Sequence, residues 1–90
     1  MKECEVQKQI LDYLKTKNHY VIKTIVTNKK GVPDILGCSC QGRMFAIEVK
    51  APGKKQEVSA LQMYNITEIK RRGGIALVAD SVVDVAGAGL

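Results

Sequence analysis

The chain has 90 residues, 46% of them hydrophobic, enough for one compact domain covering 1–90 and too few for two. Lysine and arginine number 14 against 9 acids, a net charge of +5, which favours a polyanionic partner such as nucleic acid. No apolar run is long enough for a bilayer span, the N-terminus MKECEVQKQI lacks a signal-type apolar stretch, and the cysteine count is odd; these features argue against a membrane or disulfide-bonded secreted protein and favour reduced thiols in the cytoplasm.

Residues 3–17 read as a helix with Val6, Ile10, Leu11 and Leu14 on one face, stopped by Asn18, a residue that tolerates the left-handed conformation. Residues 19–27, HYVIKTIVT, are β-branched and aromatic and predict a strand. Residues 28–31 form a turn, and 32–37 predict a short strand entered through Pro33. Gln41-Gly42 turns the chain into a third strand, 43–50, which Ala51-Pro52-Gly53 ends. A second helix is expected over 59–72, closed by Gly73-Gly74, and a buried strand over 75–79. Ser81 caps a weak last helix from residue 82, whose glycines lower its propensity. The tail 86–90 lacks a charged face and is expected either to fray or to be completed by a partner. The order α-β-β-β-α-β-(α) predicts an α/β domain with a mixed sheet flanked by helices.

The chemistry concentrates in Gly31-Val32-Pro33-Asp34 and Glu48-Val49-Lys50. Side chains alternate along a strand, so Glu48 and Lys50 share one sheet face while Phe45, Ile47 and Val49 share the other. If the strand carrying Asp34 pairs with this one as a hairpin, Asp34 joins them. Two carboxylates that close repel unless a cation lies between them, and hard oxygen donors of this kind suit magnesium. Such an ion polarises a scissile phosphate, and Lys50 is placed to orient water or stabilise developing charge. The alternatives are plain: Asp34 as a turn residue after proline, and Glu48 with Lys50 as a salt bridge on an exposed sheet face. Cys38 and Cys40 lack the spacing and the second pair of a structural zinc site, and His19 reads as a turn residue rather than a catalytic base.

The string Gly31-Val32-Pro33-Asp34-Ile35-Leu36-Gly37, then Phe45-Ala46-Ile47-Glu48-Val49-Lys50-Ala51-Pro52-Gly53, then Gln62, resembles the VRR-Nuc domain (virus-type replication-repair nuclease) of the PD-(D/E)XK superfamily, particularly the stand-alone versions of phages and prophages. The resemblance implies a restriction-endonuclease-like core and a magnesium-dependent endodeoxyribonuclease, with manganese able to substitute. Asp34 and Glu48 would hold the metal, joined by the peptide carbonyl of Val49. Lys50 would act on the nucleophile. It also implies a glutamate on the first helix. Glu3 lies on the apolar arc of Val6, Ile10 and Leu14, whereas Glu5 faces the other side, so Glu3 is assigned that place, with a solvent-exposed terminal residue as the alternative. The family's glutamine beside the lysine corresponds to Gln62. Ser59-Ala60-Leu61-Gln62 is equally a helix capping box, and one rotamer is not expected to serve both roles.

Lys29, Lys30, Lys54 and Lys55 flank the expected site and are candidates for phosphate contacts, while Lys70, Arg71 and Arg72 suit a helix C-terminus. Stand-alone relatives resemble Holliday junction resolvases, which implies branched DNA, four-way junctions in particular, and a homodimer. A flap nuclease or a non-catalytic nucleic-acid-binding module of the same fold are the alternatives.

Overall fold

A computed structural model describes residues 1–90. Its elements are α1 (Glu3–Thr16), β1 (Tyr20–Lys23), β2 (Ile35–Cys38), β3 (Met44–Val49), a 3-10 turn (Lys55–Glu57), α2 (Ala60–Arg71), β4 (Ile75–Ala79) and α3 (Val82–Gly87). The four strands form one sheet in the order β1-β2-β3-β4. β1 to β3 are antiparallel neighbours, and β4 joins β3 in parallel after crossing over through α2, so the sheet is mixed as expected. No helix is long and apolar enough to cross a membrane.

The alternation along β3 divides the core. Phe45, Ile47 and Val49 pack with Val6, Ile10 and Leu14 of α1 and Val85 of α3. On the opposite face, Ala46 and Ala76 leave room for Ile66 of α2, with Leu36, Ile69 and Val78 around them. A six-residue strand is therefore buried on both sides except at its first residue, Met44. Gly37 makes its crowded place in β2 possible, since a methyl there would overlap the Tyr20 carbonyl and the Phe45 ring.

α1 ends as its sequence predicts. Asn18 takes φ 61°, the left-handed turn that releases the chain into β1. β1 is shorter than its propensity suggests and stops at Lys23, not at residue 27. Thr24 makes the last ladder bond, its N–H donating to the Asp34 carbonyl at 2.9 Å. Beyond Asp34 stands Pro33, which has no N–H to continue the ladder, so Ile25 and Val26 leave the sheet despite their β-branched side chains. For the same reason β2 starts at Ile35 and not at residue 32.

The tail is anchored within the chain rather than frayed. Leu90 is buried, its N–H donates to the Val85 carbonyl, and its own carbonyl accepts from His19 Nε2 at 3.0 Å. His19 Nδ1 accepts from the Cys40 N–H at 3.1 Å, which assigns the proton to Nε2. With its ring edge-on to Phe45, His19 is a structural clamp between the tail and the β2–β3 turn. The three cysteines are free and exposed.

Candidate active site

The register of the hairpin brings the acids together. Ile35 pairs with Ile47, so the preceding Asp34 stands opposite the following Glu48. Asp34 Oδ2 accepts the Val49 N–H at 2.9 Å, which locks the aspartate onto the end of β3. Its backbone is held from the other side by Thr24, whose hydroxyl donates to the carbonyls of Pro33 and Asp34, each at 3.0 Å.

Glu48 is 4% exposed, since α2 covers this face of the sheet. The picture of an exposed surface salt bridge is thereby replaced by a buried acid with three polar neighbours. Glu48 Oε2 accepts from Gln62 Nε2 at 3.1 Å and lies 3.7 Å from Lys50 Nζ. Burial, then the charge of Asp34 and a hydrogen bond shared with it, push the Glu48 carboxyl up to about 8; Lys50 works against this rise, and the charge of Glu3 adds to it. At neutral pH the bare pair therefore retains a proton where two ionised carboxylates would repel.

Gln62 corrects one expectation. A single rotamer serves both the helix cap and the site, because the two ends of the amide do different work. Its Oε1 accepts the Ser59 N–H at 2.9 Å and also Lys50 Nζ at 3.2 Å, while Nε2 points at Glu48. Ser59 Oγ in turn accepts the Gln62 N–H at 3.1 Å. An sp² oxygen has two lone pairs, which is why one carbonyl satisfies both donors. No buried side-chain polar atom lacks a partner. The capping box is thus the device that aims the glutamine. Its S-x-x-Q signal was readable in the sequence, but the shared acceptor was not.

The other sequence candidates fall further out. Glu3 is exposed in the first turn of α1 and does not complete a three-acid cluster with Asp34 and Glu48, although its charge reaches Glu48. Glu5 caps its own helix, accepting the Lys2 N–H at 2.8 Å. Lys55 pairs with Asp84 at 3.1 Å, and the Gly53 N–H donates to Asp80, so the loop after β3 is tied to the β4–α3 junction. Lys54 meets Glu57 at 3.3 Å in an exposed pair. Lys29 and Lys30 are exposed and form no ion pair. Arg71 and Arg72 both engage Glu68, and their hydrogen bonds, that of Arg72 foremost, hold its carboxyl below the usual range.

None of the three surface cavities includes Asp34, Glu48, Lys50 or Gln62.

The sequence profile of the VRR-NUC domain matches residues 1–83. A solved structure described as a VRR_NUC domain superposes with a TM-score of 0.79 at 24% identity, covering 97% of this chain and 92% of that one, which shows the shared fold. No curated protein matches the sequence. With a match over nearly the whole length and the same fold around the Asp34, Glu48 and Lys50 strand pair, the chain belongs to the VRR-NUC family of nuclease domains.

Proposed function

We propose that this protein is a metal-dependent endonuclease that hydrolyses phosphodiester bonds in branched DNA, four-way junctions foremost, and that it acts as a homodimer. The observation that carries the reading is the Asp34–Glu48 pair, held at close quarters by backbone and by Gln62, with one ammonium beside it. Such a pair fits a divalent cation, since a cation would offset the burial and the Asp34 charge that together retain a proton on Glu48. Asp34 and Glu48 would hold magnesium or manganese, with the Val49 carbonyl following the family pattern. The bound ion would supply Lewis-acid activation of the phosphate and of water.

The protein's own groups account for the rest. Lys50 has little freedom, being packed between Gln62 and Glu48, so its ammonium is preorganised to orient the attacking water and to meet the charge that grows on the phosphate oxygens. In the reaction a bond forms between the water oxygen and phosphorus, and the bond to one ester oxygen breaks. Glu3 would add to the negative field over Glu48 and help organise water there. Lys29, Lys30 and Lys54 would take phosphates along the strand, whereas Lys55 contributes chiefly by fixing the loop through Asp84.

One chain carries one such constellation, and a four-way junction needs two opposed cuts, so a two-fold dimer matches the substrate. Exposed thiols without disulfides fit a reducing cytoplasm, that of a bacterial or phage-infected cell.

The test is incubation with a labelled four-way junction, a flap and a linear duplex, with magnesium or with chelator, alongside light scattering. Magnesium-dependent cleavage of the junction by a dimer is expected. Cleavage of the flap alone would leave a nuclease with a different substrate, and cleavage of nothing would leave a binding module.

The capping box gives a finer test. Ser59 has φ −76° and follows Val58 in extended conformation, so proline fits the backbone there. Ser59→Ala removes the hydroxyl and should cost about 1 kcal/mol of stability. Ser59→Pro also removes the N–H that holds Gln62 Oε1, and the loss of that hydrogen bond should slow single-turnover cleavage roughly tenfold relative to the alanine variant. Equal rates in the two variants would show that the Ser59 N–H does not position Gln62.

A further inference from the structure

Ile25 and Val26 are 86% and 89% exposed, more than any other large hydrophobic side chain in the protein. They are adjacent, and they stand where β1 peels off the sheet. Nothing in the fold uses them, and apolar surface left in water costs roughly 25 cal/mol per Å². Both feet of their loop are fixed. Thr24 is bonded through its N–H and its hydroxyl to the Asp34 carbonyl. On the far side, the Lys30 carbonyl accepts from Asn65 of α2, and Gly31 lies against Leu61. The tip is therefore a projecting, apolar end on a braced base, and that base includes Asp34.

The tip is close to the site. Paired residues across antiparallel strands lie about 5 Å apart, and two further residues reach at most about 7 Å more, so Val26 stands within about 12 Å of Asp34. That is about the width of a DNA major groove. Charge along this stretch of chain has one sign. No acid occurs between Tyr13 and Pro33, while Lys23, Lys29 and Lys30 flank the apolar pair in sequence, none of them in an ion pair. Two copies meeting at this loop would bring like charges together, whereas phosphates complement them.

We propose that loop 25–30 is a DNA wedge: Ile25 and Val26 enter the branch point and press on exposed base faces, while Lys29 and Lys30 hold the flanking phosphates. β-Branched side chains lose little rotamer freedom on insertion, and apolar side chains are the usual wedges between base steps. Unstacking an intact duplex costs a few kcal/mol per step. At a branch the stack is already interrupted, so the same wedge selects branched DNA. This rests on the nuclease reading above and gives it a source of structure specificity.

The experiment uses a four-way junction with 2-aminopurine at the branch point, whose fluorescence rises when the base unstacks, bound by the full chain in chelator at low salt. Wild type should raise the fluorescence severalfold. The double variant Ile25→Ser, Val26→Ser should abolish most of the rise and cut junction cleavage in magnesium at least tenfold, while Ile25→Leu, Val26→Leu should restore both. Both positions are exposed, so circular dichroism should be unchanged. A serine variant that unstacks and cleaves like wild type overturns the wedge and spares the nuclease. A serine variant that turns a dimer into a monomer in light scattering also overturns it, because the loop's occupant is then a second copy. Failure of wild type to bind any branched DNA in a gel shift removes both readings.

Discussion

Glu48→Gln should silence cleavage and, in chelator, make the protein more stable at alkaline pH. Two effects of one carboxylate are separated by this variant. The amide keeps the shape and can still accept from Gln62 and donate to Asp34, but it cannot supply the negative oxygen that a divalent cation requires. Cleavage should fall by a factor of about 10²–10³, the scale seen when a group that stabilises transition-state charge is lost. Stability moves the other way. The folded carboxyl is raised to about 8 from an ordinary 4.5, so the native state binds a proton that the unfolded chain releases between those values. Glu48's contribution is complete below pH 4.5 and is lost as the pH rises through 8. At about 1.4 kcal/mol per unit, the wild-type loss across that window is on the order of a few kcal/mol. Glu48→Gln removes the titration, so its metal-free Tm at pH 9 should exceed that of wild type by roughly 10 °C, with the gap closing towards pH 5. Thermal scans in chelator across that range decide it. A wild-type Tm with no downward slope between pH 5 and 9 relative to the variant would refute the raised carboxyl. Added magnesium should raise the wild-type Tm and leave the variant unmoved.

Lys50→Ala should lower single-turnover cleavage by about 10²–10⁴ while leaving junction affinity within a few fold. In the proposed complex the ammonium would be a single charge among many facing the phosphate backbone, so binding should survive its loss. Its place beside Glu48 is not duplicated: Gln62 Oε1 would retain only the Ser59 N–H, and no other cation approaches Glu48 in an ion pair. Loss of Lys50 also removes a charge that lowers the Glu48 carboxyl. Lys50→Arg should recover little, since a planar guanidinium does not match the slot between Gln62 and Glu48. Rapid-quench cleavage and gel shifts measure the two quantities. A rate unchanged from wild type would remove Lys50 from the chemistry.

Local sequence signals explain most of the element order. The apolar stripe of α1, the left-handed Asn18 and the alternation of β3 each depend on residues near one another in the chain, and each matches the fold. The same alternation placed Glu48 and Lys50 on one face, and pairing of β2 with β3 brought Asp34 to them. Propensity misled where a partner strand was missing. Ile25 and Val26 favour β structure, but the ladder ends at Pro33, and a strand without hydrogen-bonding partners is not a strand.

What only the tertiary structure decided concerns burial and shared acceptors. A sequence shows that Glu48 lies on a sheet face but not that α2 seals that face, and the seal is what lifts its carboxyl. S-x-x-Q shows a cap, but not that the capping carbonyl has a second lone pair turned towards Lys50. Glu3 shares the arc of the buried stripe by helical angle, yet the stripe's end lies beyond the core and leaves it exposed. Residue identity and period determined which groups could meet; the packing of distant segments set the dielectric, the proton and the orientation in which they do.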